Sequence, residues 1–159
     1  MNTTDILLFE AGGGGDLAII NNDLSMGESL YQQIYLSLFG GNVEESTKQF
    51  YLDNEERFDY WGNTLIWNDV KTKQFNSETE RTIKSTVLNS SGRIRVIQAA
   101  ENDLAYLQPV ANISVDAQVL NRDQIRLIIS FSGKTNQQDK LLQIVYDNAK
   151  GSVIIEETI

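Results

Sequence analysis

At Pro109, the sole proline of the chain, the spacing of apolar residues changes its period. Upstream, Ile97, Ala100, Leu104 and Leu107 recur every three or four residues, which places them on one face of a helix. Downstream, Ile113, Val115, Ala117 and Val119 alternate with Asn112, Ser114, Asp116 and Gln118, the period of a strand with one buried face. Proline has no amide hydrogen and its ring clashes with the preceding turn, so the helix cannot run on through it. The alternation returns in Ile125, Leu127, Ile129 and Phe131 after the turn "NRDQ", and in Leu142, Ile144 and Tyr146 after the polar loop "SGKTNQQDK". Alternating runs joined by polar turns predict an antiparallel meander.

The first half of the chain reads differently. Residues 5–9 and 16–20 are apolar runs of strand length, and the "EAGGGG" between them predicts a hairpin connection, because glycine tolerates the positive φ angles of turns. A phosphate-binding loop needs a lysine and a hydroxyl residue after its last glycine, opening a helix; here Asp16 follows and a strand comes next. "NND" at residues 21–23 makes a second turn. Ser25 and Glu28 match the S-x-x-E capping box, which predicts a helix carrying Leu30, Ile34 and Leu38 on a face widened by Tyr31, Tyr35 and Phe39. So many large side chains predict burial on more than one side, and Gly40–Gly41 is the expected stop. A second capping box, Ser77 with Glu80, opens a helix in which Ile83 and Val87 share a face. "NSSG" at residues 89–92 leaves two options, two helices meeting at a corner or one long bent helix. The expected class is α+β, an N-terminal β-hairpin and helices packed with a C-terminal antiparallel β-meander, in a single domain spanning residues 1–159.

Composition narrows the function. A net charge of −9 and a pI near 4.4 oppose general nucleic-acid binding, which requires a basic surface to displace phosphate counterions. With neither cysteine nor histidine, the chain has no disulfide framework, no thiolate zinc site and no serine–histidine or cysteine–histidine nucleophile. No calcium-loop motif is present, so no metal or other cofactor is expected. "MNTTDILLFE" lacks the basic and long apolar regions of a signal peptide, and no segment has the length of a membrane span, so a cytoplasmic location is expected.

Residues 42–59 are polar and acidic, pinned only by Phe50, Tyr51 and Leu52, and predict a long functional loop. The stretch "RFDYWGNTLIW", residues 57–67, comes next with both tryptophans. Their even spacing puts Trp61 and Trp67 on one face if the segment is a strand. Asp53, Glu55, Glu56 and Asp59 lie near Tyr60 and Trp61, a combination compatible with a glycosidase or a carbohydrate-binding surface, although acid runs in polar loops are ordinarily just solvated. In the tail, residues 152–157 form a pairing-strand candidate. Its apolar core is Val153, Ile154 and Ile155, with only Glu156 and Glu157 to blunt it.

Taken in order, several of these segments resemble one family. "DILL", "GDLAI", "NDL" and a helix ending "LSLF" are similar to the N-terminal half of Mu-type contractile phage baseplate proteins. Tyr60-Trp61-Gly62-Asn63 resembles that family's W-W-G-D segment, and "LIW" and "DLAYLQPVANISVDAQV" are similar to its later segments, in which a helix runs into β-strands. The chain departs from the pattern in Tyr60, in Asn63, and in the acidic "GGNVEES", where the family carries a T-D-R-R-like basic segment. The resemblance covers nearly the whole chain and implies a member of the lysozyme-like baseplate wedge, or sheath-initiator, group. That implies a small non-enzymatic α+β subunit, several copies of which surround the tail axis, contacting wedge and hub proteins and the first sheath ring. It also implies assembly in the host cytoplasm and a final place in the virion tail baseplate. The implied interface residues are Tyr60, Trp61, Gly62 and Asn63 together with Val153, Ile154 and Ile155; no catalytic residue is implied.

Overall fold

The computed structural model describes residues 4–6, 8–10, 15–17, 19–40, 75–134 and 138–158. Among these residues, six short strands come first: β1 (Thr4–Ile6), β2 (Leu8–Glu10), β3 (Gly15–Leu17), β4 (Ile19–Ile20), β5 (Asp23–Leu24) and β6 (Met26–Glu28). Helices α1 (Ser29–Phe39), α2 (Glu78–Ser85) and α3 (Ser90–Leu104) come after them, the last continuing into a 3-10 turn at Ala105–Leu107. Strands β7 (Ala111–Val119), β8 (Gln124–Gly133), β9 (Lys140–Asp147) and β10 (Ser152–Thr158) complete the chain. The class is α+β, with an N-terminal hairpin and a C-terminal meander.

The four long strands form one antiparallel sheet in the order β10–β9–β8–β7. Because successive side chains alternate in direction, the register stacks apolar residues into rows on one face. One row runs Ala117, Leu127, Ile144, Ile155 and the next Val119, Ile125, Tyr146, Val153. All four alternating positions of β8, from Ile125 to Phe131, are buried, as a central strand requires. The helices cover this face. Phe39 at the end of α1 stacks on Tyr146 of β9, centroids 5.9 Å apart and planes 8° apart, while Val96, Ala100 and Leu104 of α3 join the same core. Nearly all of α1 from Gln32 to Phe39 is buried, so it is enclosed on more than one side, as its aromatic-rich sequence predicts.

The junction between the helices is built from side chains that satisfy helix ends. Ser77 caps α2 by accepting from the Glu80 amide at 3.1 Å, and its hydroxyl donates to the Leu38 carbonyl near the end of α1. Asn89 caps α3 by accepting from the Gly92 amide at 2.9 Å. The "NSSG" segment is thus a corner between two helices. Gly92 is required there because a Cβ would collide with the Val87 carbonyl.

Two local expectations are corrected. Ser25 and Glu28 do not cap a helix: Met26–Glu28 is strand β6, and α1 begins at Ser29. The pairing of β6 with β1, Thr4 opposite Glu28 and Ile6 opposite Met26, holds this segment extended against its local helix signal. Val87 does not share a face with Ile83. Helix α2 ends at Ser85, Thr86 is extended, and Val87 is 76% exposed while Leu88 turns inward. At Gly40 the helix-stop expectation holds with a different cause, since a Cβ would strike the Leu36 carbonyl and stand 2.9 Å from Cβ of Phe75.

Gln32 on α1 is 4% exposed, and among the described residues neither polar atom of its amide has a hydrogen-bond partner. A buried amide without partners is unfavourable by about 1–3 kcal/mol. Gln32→Met, close in volume, is therefore expected to raise the unfolding free energy by about 1 kcal/mol or more in urea denaturation, and a loss of stability would show that the amide is bonded after all.

Candidate functional site

Of the residues that the sequence singles out, Tyr60, Trp61, Gly62 and Asn63 lie outside the described residues, as do Trp67 and the acids Asp53, Glu55, Glu56 and Asp59. Val153, Ile154 and Ile155 lie on β10, but not as one apolar unit. Val153 and Ile155 are half-buried and pack on the core, whereas Ile154 points to the opposite face and is 47% exposed. On that outer face it continues a row through Val145, Arg126 and Gln118.

What β10 presents laterally is backbone. In an antiparallel ladder, hydrogen-bonded pairs alternate with pairs whose N–H and C=O groups point away from the partner. The β7–β8 turn sets this phase, since the Leu120 amide donates to the Gln124 carbonyl at 3.0 Å. Carried across the sheet through the register, the alternation turns Ser152 and Ile154 toward β9 and directs the N–H and C=O of Val153 and Ile155 away from it. A register shift between Ile155 and Glu157 inserts Glu156 as a bulge, so the regular edge is short. Strand β2 comes into contact with β10 but pairs with β3 in a separate sheet.

The hairpin that delivers β10 is tied by Asp147. Its carboxylate accepts from Gln124 Nε2 at 2.8 Å and from the amides of Ala149 and Lys150 at 3.1 and 3.2 Å. The Gln124 bond is the main reason that its pKa lies below the ordinary carboxylate range. Gly151, at φ +62°, supplies the left-handed residue that returns the chain into β10.

The opposite edge is engaged at one position. Toward the C-terminal end of β7, Asp116 Oδ1 accepts from the Ala117 amide at 2.8 Å, and Nε of Arg93 on α3 donates to the Ala117 carbonyl. Arg93 Nη2 also meets Asp116 Oδ1 at 2.5 Å. The Ala117 amide, then Arg93, hold the Asp116 pKa below its usual value.

A second surface was not anticipated. Strands β1–β6 form three antiparallel pairs, β1 with β6, β2 with β3 and β4 with β5. The β4–β5 hairpin turns through Asn21 and Asn22 at φ 54° and 61°, the left-handed pair of a type I′ turn, for which asparagine is well suited. These ribbons expose Ile19 and Ile20 most strongly, with Met26 and Leu24 beside them. The doublet Ile19–Ile20 next to "NND" was the available signal, but a run of strand length does not reveal that both residues stay exposed.

The most perturbed carboxylate is Asp103 of α3. It accepts from the Glu78 and Thr79 amides at 3.0 and 2.8 Å and from the Thr79 hydroxyl at 2.6 Å. It therefore binds the first amides of α2, which makes it a helix cap supplied by a neighbouring helix. Burial pushes its pKa up to about 6 despite these donors.

Comparisons with protein-family models, curated proteins and solved structures find no match. No helix among the described residues is long and apolar enough to cross a membrane, and these residues contain no cluster of three or more acidic side chains suited to a metal ion.

Asp103 predicts a pH dependence of stability. Its folded pKa of about 6 exceeds the ordinary 3.8, so its favourable contribution is complete below the lower value and is lost as the pH rises through the upper one. Lowering the pH from about 7.5 to about 5 should raise the unfolding free energy through this group by on the order of 1–1.5 kcal/mol. Asp103→Asn should remove that slope whatever it does to absolute stability, as urea denaturation at both pH values would show; an unchanged slope contradicts the assignment.

Proposed function

We propose that this chain is a structural assembly subunit that takes a strand from a partner protein along β10. In this reading it is a component of the baseplate of a contractile tail or injection system, linking wedge and hub to the first sheath ring. The observation that carries it is the lateral backbone of β10. Val153 and Ile155 direct their N–H and C=O groups away from β9, whereas β7, at the other end of the sheet, has the outward groups of Ala117 capped. Strand addition to such an edge draws affinity from main-chain hydrogen bonds and specificity from alternate side chains. On β10 the side chain available for recognition is Ile154, beside Val145.

The baseplate assignment draws on the ordered resemblance of "DILL", "GDLAI", "NDL", "LSLF", Tyr60-Trp61-Gly62-Asn63 and residues 103–119 to Mu-type baseplate proteins. The acidic surface and the exposed residues Ile19, Ile20, Leu24 and Met26 suit a subunit held among protein neighbours. Hub, wedge and sheath proteins are the partners of this reading, in several copies around the tail axis. The glycosidase alternative depends on Glu55 and Glu56, and no described geometry favours it.

Val153→Pro tests the reading. It removes the N–H that points outward while leaving the bonds of Ser152 and Ile154 to β9 in place. Substituted for the wild-type chain in cells that build the contractile particle, it should yield tubes and hubs lacking sheath, as seen by electron microscopy. Normally sheathed particles, with this variant or with the chain deleted, would overturn the proposal.

A further inference from the structure

The two edges of the sheet are treated differently, and the difference bears on which chains can associate. An antiparallel sheet ending in β10 on one side and β7 on the other can be extended by a second copy of the same chain, β10 of one molecule adding to β7 of the next. Such a contact joins two different surfaces, so unless a rotation closes it into a ring it propagates without limit. A subunit with an open β10 therefore needs a reason not to polymerise.

Arg93 and Asp116 supply one. Ala117 is the seventh of the nine residues of β7, and the ladder phase turns its N–H and C=O outward, where an incoming strand would bind them. Both groups are already engaged, the amide by Asp116 Oδ1 at 2.8 Å and the carbonyl by Nε of Arg93. The side chains also bond to each other, and Arg93 belongs to α3, which packs along β7. As an ion pair this contact contributes little stability, since the two side chains are 40% and 62% exposed. Its geometry accounts for the pair better than its energy does: it occupies the outward donor and acceptor of Ala117, one of the positions that edge pairing would use, and sets charge in the path of an approaching strand. We propose that Arg93 and Asp116 form an edge stop that closes β7 to strand addition and so prevents head-to-tail self-association through β10. The inference rests on the open β10 of the proposed function.

The test compares the full-length wild-type chain with the Arg93→Ala, Asp116→Ala double variant. Sedimentation velocity over a range of concentrations should show a constant mass for the wild type. For the variant the weight-average mass should rise about twofold or more, returning to the wild-type value when Val153→Pro is added. A fluorescent peptide copying Ser152–Thr158 should bind the double variant at least about tenfold more tightly than the wild type. Circular dichroism establishes that each variant is folded; if the double variant is not, Asp116→Asn alone, expected to show a smaller gain in peptide affinity, takes its place. Equal peptide affinity for wild type and folded variant overturns the edge stop and leaves the β10 reading standing. Peptide binding gained without self-association means that β10 of the intact chain is not open, which overturns the proposed function. A wild-type mass that already grows with concentration, and is suppressed by Val153→Pro, overturns the stop as well.

Discussion

A β-sheet cannot end without leaving a row of backbone donors and acceptors at each side, and the most informative features of this chain lie along those two rows. The ladder phase set at the β7–β8 turn decides which residues face outward at both ends. At β7 one of the outward residues, Ala117, is covered by two charged side chains, one of them delivered by a helix. At β10 the outward groups belong to Val153 and Ile155, whose side chains are committed to the core. A partner strand there would meet main chain first, and Ile154 on the outer face second.

The rest of the architecture holds that edge in place. Tyr146 and Ile144 of β9 are fully buried under the helices, and Phe39 stacks on Tyr146, so α1 anchors the strand that carries β10. The helices are in turn joined by short polar links. Ser77 connects the start of α2 to the end of α1, and Asp103 connects it to α3. The cost of that arrangement is a carboxylate held partly out of water, with its pKa raised to about 6. The perturbation has a structural origin, since every one of its bonding partners belongs to the first turn of a helix.

The meander is legible in the sequence because its alternation is unbroken over Ala111–Val119 and Gln124–Gly133 and burial follows it residue by residue. Ser77 is legible for the same reason: its role depends only on the residues just after it. Where local pattern misleads, a distant partner decides. Ser25 and Glu28 carry a helix-start pattern, yet Met26–Glu28 pairs with Thr4–Ile6, some twenty residues earlier, and stays extended. Ile83 and Val87 have helical spacing, but the corner at Thr86 and the crowding around Gly92 end the helix first. The candidate edge shows in the sequence as an apolar run, Val153 to Ile155, although its exposed element is backbone. Its counterpart at Arg93 and Asp116 does not show, because residues 23 positions apart form no local pattern.

If β10 is free to receive a strand, its open edge should be visible in the isolated chain, one amide at a time. Native-state hydrogen exchange followed by NMR measures it most directly, because the N–H groups of alternate residues of β10 point in opposite directions. Ser152 and Ile154, bonded to β9, should exchange at least about tenfold more slowly than Val153 and Ile155 after correction for intrinsic rates. Equal, strong protection at all four amides would mean that the edge is already covered, and would contradict an open β10.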